Sequence, residues 1–593
     1  MRRCKLLPKT NRYTDGSGRH LDGTTIPKDL YLQPLNSHES KYPVRPGPWQ
    51  PVIAGQPSPY KGKLVVAGAG IVGCVAATMM ALRGWHVTVI EPLPMDRVGD
   101  GRLIEMALVT KRAMDALHVA GVRKDVIAAL GTRVTGVMDH AGNVSTWLTY
   151  GLRELQAFPV NMVAVDVAQL RRYLVGHVNT IPLDNAKIFD RHEVAAILAP
   201  QKMAVVRRLR DASSPESSRA PPPETAAKAV IIGGQHFEGD VEGVEYDVLL
   251  GCDGADSAVR RFLDLSNMEI DKDWDIQWAS VVIDEPSAPA GSESENGSAT
   301  KGGFVVNAED RTSRRTRWWE PLQPDCIHRW ATRVPGLLNR VATVLLFPRG
   351  SPGAFSAMIF APRAMFDDIA GTNESRRAKA MSQFPHFLNP KETAEVNTSM
   401  ATAAAMLVAM APCLSRIGTY RVTQSTTPKA YPLVYAPHLC NHTDVYPNVM
   451  LLGDAAHATH PFLMQGLSVA LEDVTNAVNN IDSRGTSLGE CVRQYSRQRG
   501  PAGDAVRRIT ERSMFFHHRK HKNPFLRFRN TYSHAMHYLV PRYWNEYVEG
   551  SPNYLYPRSV ETMLNGRGYC PYEEIDWHQH RSSRWWCMSR LYT

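Results

Sequence analysis

The run from Lys63 to Glu91, KLVVAGAGIVGCVAATMMALRGWHVTVIE, constrains the fold more than any other part of the chain. A short apolar run (Leu64 to Ala67) meets Gly68-x-Gly70-x-x-Gly73. A small-residue helical segment follows, and a second β-branched run (Val87 to Ile90) ends in Glu91. Strand, glycine turn, helix, strand and acid in this order describe a dinucleotide-binding βαβ unit. Gly68 permits the tight turn, Gly70 lets backbone approach a pyrophosphate, and Gly73 lets the helix pack closely on the sheet. The loop and first helical turn (Gly68, Ala69, Gly70, Ile71, Val72 and Gly73) are the expected nucleotide contacts, with free N–H groups facing the phosphates. Glu91 stands about 20 residues on, where a carboxylate accepts from a ribose 2′-OH.

Leu64 to Leu82 carries no charge and is nearly long enough to span a bilayer. The glycine spacing and the polar sequel explain it better as a buried βα unit. Met400 to Leu414 is too short to span, so no transmembrane segment is expected. At 593 residues and 43% hydrophobic content the chain can bury a large core. Its net charge of +10 admits anionic ligands, nucleic acid or a membrane surface. The charge is spread, without a nucleic-acid-reading motif, so no nucleic-acid partner is expected. Nine cysteines form no CxxC pair and read as reduced thiols of an intracellular protein. His438-x-Cys440-x-His442 has alternate-residue spacing unsuited to a structural zinc, and no metal is expected.

Residues 1–60 are rich in Pro, Gly and Asn and read as an irregular extension. Five basic residues precede its first acid, Asp15, which is compatible with a mitochondrial presequence, although no amphipathic Arg/Leu helix is evident. A mitochondrial or a cytoplasmic location both remain open. Residues 211–228 and 285–303 are polar, Ser/Pro-rich insertions. Between Leu265 and Asn448, Ala279 to Ile283, Thr343 to Phe347 and Ala357 to Phe360 read as strands, without an assigned order.

Two later segments repeat the strand-to-helix logic. Tyr246 to Arg260 (YDVLLGCDGADSAVR) runs a buried strand into Asp253-Gly254. Met450 to Val474 (MLLGDAAHATHPFLMQGLSVALEDV) runs another into Gly453-Asp454 and opens a helix at Gln465-Gly466. A carboxylate at such a strand end can bind a ribityl hydroxyl, and the helix start at Gly466 offers N–H groups to a flavin ring.

These three units, about 180 and 200 residues apart, resemble the GxGxxG, DG and GD motifs of the single-component FAD-dependent aromatic hydroxylases. The resemblance covers roughly residues 63–545. Within that superfamily several stretches are similar to kynurenine 3-monooxygenase. Gly101-Arg102 through Ala107-Leu108 resembles GRSINLAL, whose later alanine lies along FAD. Thr149-Tyr150-Gly151 resembles PYG, and Val540-Pro541-Arg542-Tyr543 resembles IPLY, whose tyrosines line the substrate site. LLGDAAHATHPFLMQG carries Asp454 and Gly466 over as FAD contacts, with Leu467 and Ser468 following, and Tyr495 to Pro501 resembles FSRLRxP.

Three departures accompany these matches. The carboxylate-binding arginine of the family's PMRARM falls at Val137, with Arg133 as a substitute only in a shifted register. The asparagine of NYxEMR becomes Ser513. The FAD-contacting arginine of VSR falls within Val165-Asp166-Val167. Losing a bidentate carboxylate partner in a dry pocket costs several kcal/mol by order of magnitude. The flavin scaffold thus carries over better than kynurenine as substrate.

The resemblance implies an α/β (α+β) fold: a glutathione-reductase-like FAD-binding Rossmann domain, a mixed-sheet substrate domain and a helical C-terminal region. The expected order is an FAD-binding first part over 61–264, a mainly substrate domain over 265–448, an FAD-binding last part over 449–510 and a basic-aromatic region over 511–593. FAD is the expected cofactor, with NADPH as a transient co-substrate. The FAD contacts are the glycine loop, Glu91, Ala107, Asp253, Asp454, Gly466, Leu467 and Ser468. Tyr150, Tyr543, Arg102 and Arg133 are candidate substrate contacts, and no side chain is assigned as a catalytic acid, base or nucleophile. The tyrosines read equally well as core residues, and His457 and His460 read better as turn supports than as proton relays. Phe515 to Arg529 suits a solvated helix face or peripheral contact with an anionic membrane.

The leading function is hydroxylation of a small aromatic with NAD(P)H and O₂. The rivals are hydroxylation of a phenol or quinone precursor, and a non-catalytic FAD-binding subunit of a protein complex.

Overall fold

The computed structural model describes residues 61–95, 105–134, 136–141, 144–148, 162–181, 185–209, 229–232, 234–238, 240–264, 276–284, 322, 324–333, 341–349, 354–370, 421–426, 428–431, 433–436, 438–440, 446, 448–482, 487–522 and 572. It is a mixed α/β structure. The two insertions and the 1–60 extension lie outside these residues.

The three motif strands become neighbours. A five-stranded parallel sheet runs in the order Val449–Leu451, Val248–Gly251, Gly62–Ala67, Trp85–Glu91, Ala186–Asp190. Its registers set Ala67 opposite both Gly251 and Ile90, and Gly251 opposite Leu451. The carboxyl ends of the motif strands therefore finish level, and ligands of open parallel sheets bind beyond those ends. The central strands are buried on both faces, as their unbroken apolar runs require.

The glycine helix Ile71–Ala81 is almost wholly buried and packs between this sheet and the helix Val167–Asn179. Its Gly, Ala and Cys positions give close contact without large side chains. Asp166 caps Val167–Asn179, its Oδ1 accepting from Ala168 and Gln169 N–H at 2.8 and 3.2 Å.

A second sheet has eight strands and is antiparallel except where Cys326–Arg333 meets Gly136–Ala141. It contains the expected strand segments 279–283, 343–347 and 357–360, now side by side within Ile276–Asp284, Val341–Pro348 and Phe355–Pro362. It also takes in Gly136–Ala141 and Val144–Leu148, from the segment before residue 264. A smaller three-stranded sheet (Met106–Val109, Val163–Asp166, Gly131–Arg133) packs against one face of the second sheet. Val137, Ile327, Trp278, Met358 and Phe360 meet Leu108, Met162 and Met464 in this apolar layer.

The long helix Leu488–Lys522 packs on the helix Gly466–Ile481. The side chains of residues 515–522, and everything from 523 to 529, lie outside the described residues, so the basic-aromatic stretch remains an expectation. No helix among the described residues is long and apolar enough to cross a membrane.

Candidate functional site

The glycine loop forms the floor of the site. Gly68 adopts φ +96°, and a Cβ there would lie 2.5 Å from the Cys252 carbonyl oxygen, so the first and second motifs touch. A Cβ on Gly73 would lie 1.9 Å from the Gly68 carbonyl oxygen, so only glycine lets the helix start so close to the strand. A Cβ on Gly453 would meet Val72 at 2.9 Å, which brings the third motif onto the first. Gly70 differs: a Cβ there meets nothing within 4 Å. Gly70 also caps the glycine helix without a side-chain hydrogen bond. Open space at a bare helix N-terminus, level with three strand ends, fits a bound diphosphate.

Each acid of the three motifs has a different environment. Glu91 is buried; its Oε2 accepts from Ala69 N–H at 2.7 Å and its Oε1 from Leu93 N–H at 2.9 Å. Asp253 is fully engaged by its own loop. Ser257 donates to Oδ1 at 2.5 Å, and Ala258 and Val259 N–H donate to Oδ2 at 2.7 and 3.1 Å. It therefore shapes the second motif. Arg260 then ties that motif to the third, donating to the Ala455 carbonyl at 2.7 Å and to Ala255 at 2.5 Å.

Asp454 is exposed, yet desolvation raises its carboxyl above the ordinary range, against the opposing effect of His457. Its side chain is open to a polar ligand group, while the surrounding protein disfavours its charge. Glu105 shares that environment. Its carboxyl is pushed up to about 7, first by desolvation and then by Asp454 and Asp166. The folded state therefore holds a proton that the unfolded chain has released, and stability falls as pH rises from about 4.5 to about 7. Glu105→Gln is expected to remove this decline, measured as the urea midpoint of the apoprotein against pH. Equal slopes in both proteins would exclude Glu105 as its source.

Under the third motif lies a buried ionic network. His457 Nε2 is 2.5 Å from Asp473 Oδ2, and Arg499 Nε donates to Asp473 Oδ1 at 2.6 Å. Burial disfavours charge on His457, but Asp473 outweighs it and raises the imidazole above its ordinary value. Arg499 and Arg112 both reach Glu472, at 3.5 and 3.0 Å. Arg112 lies over the ring of Tyr572, whose hydroxyl is 3.5 Å from Gln465 Oε1. Gln465 is the N-cap of the helix Gly466–Ile481. The network thus fixes the helix start at which Gly466 and Leu467 stand. Ser468 is buried, its hydroxyl 2.6 Å from Thr110 Oγ1, which joins this helix to the segment following Ala107. Burial pushes His460 down to about 3, so it is a neutral imidazole, with Nδ1 accepting from Phe462 N–H.

The structure gathers Gly68 to Gly73, Glu91, Asp253, Asp454 and Gly466 to Ser468 around the carboxyl edge of the first sheet, with Ala107 on the adjoining small sheet. The substrate candidates are not gathered. Tyr150, Tyr543 and Arg102 lie outside the described residues, and Arg133 is exposed on the edge strand Gly131–Arg133. Val137 is fully buried in the apolar layer. Arg329, on the neighbouring strand, is fully buried; it donates to the Phe462 carbonyl and lies 4.2 Å over the Phe462 ring. Sequence reasoning missed Glu105, Arg171, Asp473 and Arg499. The available signal for Asp473 was its place between Val469 and Ala477, four residues from each, on a mixed helical run.

Residues 61–326 match the FAD binding domain family. Kynurenine 3-monooxygenase of Caenorhabditis elegans is 24% identical over 443 residues, covering 73% of this chain and 77% of its own. The Debaryomyces hansenii enzyme is 22% identical over 520 residues, covering 86% and 88%. The chain carries an FAD binding domain over residues 61–326 and is similar along most of its length to kynurenine 3-monooxygenases. Among solved structures, Pseudomonas aeruginosa PqsL in complex with 2-aminobenzoylacetate is similar to this chain with a TM-score of 0.46 and 15% identity, covering 77% of this chain and 96% of that one. The family match makes FAD the cofactor of this chain.

Proposed function

We propose that this chain hydroxylates a small aromatic that carries no amino-acid carboxylate, such as a phenol or quinone precursor. The observation that carries this reading is Val137, fully buried among Ile327, Trp278 and Phe360 where the resemblance expects a cation. Arg329 is engaged by Phe462, and Arg133 is exposed at a sheet edge. An apolar layer holds an aromatic ring by burial, at about 25 cal/mol per Å², but offers a carboxylate no compensation for desolvation.

In this reading the first sheet belongs to a glutathione-reductase-like FAD domain built from 61–264 and 449–510. The second sheet roofs the substrate, and the helical region follows. Gly68 to Gly73 receive the diphosphate and Glu91 accepts from the adenosine ribose. Asp454 accepts from the ribityl chain, and the first-turn N–H groups at Gly466, Leu467 and Ser468 face the ring. Ala107 lies alongside, and Asp253 acts through the shape of its loop. When bound, the flavin supplies hydride acceptance and oxygen activation. The protein orients the aromatic, excludes water and keeps His460 neutral beside Phe360, at 5.6 Å between rings.

Kynurenine is the second reading, favoured by the relatives. It requires a cation from Arg133 in an altered register, or from Arg102. NADPH oxidation and product analysis across a panel of phenols, hydroquinones and kynurenine separate the two. Stimulation of at least tenfold by a phenolic ring, with kynurenine near background, is expected. Kynurenine as the strongest stimulant, with a hydroxylated product, would overturn the proposal.

A further inference from the structure

Ala69 sits between the first two glycines and is gripped at both ends. Its N–H donates to Glu91 Oε2 at 2.7 Å, and its carbonyl accepts from Arg171 Nε at 2.9 Å. Arg171 Nη2 lies 3.0 Å from the same Glu91 oxygen, which closes a ring of three groups around the middle of the loop. Arg171 projects from the helix Val167–Asn179, one turn after Val167 and packed against the glycine helix. Its side chain retains 18% exposure, against 6% for that of Glu91. Its Nη1 has no partner among the described residues.

The charges give this ring a purpose beyond holding a turn. Glu91 is a buried anion beside a loop shaped for an anionic diphosphate, and like charges at that range oppose binding. A guanidinium paired with the buried carboxylate cancels the repulsion, sets the Ala69 peptide and keeps N–H groups for a nucleotide oxygen. We propose that Arg171 is the positioning cation at the adenosine end of the FAD site, standing one helical turn beyond the Val167 position. The inference rests on FAD binding at the glycine loop, as assigned under the proposed function.

The test is titration of the full-length apoprotein with FAD, followed by flavin fluorescence quenching, for the parent, Arg171→Ala and Arg171→Lys. The visible spectrum of each protein at saturation is recorded as well. Arg171→Ala is expected to weaken FAD binding about 10- to 100-fold. Arg171→Lys, which keeps the charge but loses the fork, is expected to lie between the two. The saturated spectra should coincide, because the ring end of the site is untouched. Arg171→Ala binding FAD within twofold of the parent overturns the inference, and so does a spectrum changed in step with affinity, which marks general unfolding. Should Arg171→Ala not fold, Arg171→Lys decides, with parental affinity counting against. A parent that binds no FAD at all instead contradicts the underlying site assignment.

Discussion

Asp473→Ala is expected to lower the unfolding free energy by about 3–5 kcal/mol, because it leaves His457 and Arg499 buried beside a missing anion. Asp473 is completely buried and receives both cationic partners, one on each oxygen. Desolvation alone would raise its carboxyl, yet His457 and Arg499 together hold it below the ordinary range. That balance shows how much the ionised form depends on them. Urea unfolding of the apoprotein reads the effect, and a loss under about 1 kcal/mol would show that the three groups do not act as a unit. Removing Arg499 as well, as Asp473→Ala with Arg499→Met, should cost less than the two single losses added together.

Gly73→Ala is expected to have the largest effect on cofactor binding. Its Cβ would meet the Gly68 carbonyl oxygen at 1.9 Å, and both atoms belong to backbone that cannot rotate away. Either the helix start or the Gly68 turn must move, and Gly68 is already fixed by Ile90, whose carbonyl accepts its N–H at 2.7 Å. Overpacking of this kind costs about 1–3 kcal/mol in a well-packed core, and more against backbone. An FAD affinity reduced by about two orders of magnitude is therefore expected. Gly70→Ala supplies the contrast. Its Cβ meets no protein atom, so apoprotein stability should be retained while FAD binding weakens.

The motif strands were legible because each is a short apolar run ending in glycine or a glycine–aspartate pair. Parallel sheets demand such runs, and their carboxyl ends must bind any ligand. The segments 279–283, 343–347 and 357–360 were legible as strands but not in their order, because pairing partners are chosen by packing. The union of 136–148 with a sheet formed mostly from residues after 276 was hidden for the same reason. Glu105, Arg171 and the Asp473 network were illegible for a further reason. A charged residue on a helix or strand end reads as solvated until tertiary approach removes the water. The local bonds of Asp253 were hidden too: Ser257 donates to one oxygen, and Ala258 and Val259 N–H donate to the other at the start of its own short helix.

On the proposed assignment, three motifs far apart in sequence form one FAD site at the carboxyl edge of the parallel sheet. Titration of the purified apoprotein with FAD, read by fluorescence quenching and by the visible spectrum, tests it most directly. One tightly held FAD per chain, bound about a hundredfold more weakly by Gly73→Ala and also weakened in Asp454→Ala, is the predicted result. No saturable FAD binding by the parent, or binding indifferent to both substitutions, would contradict it.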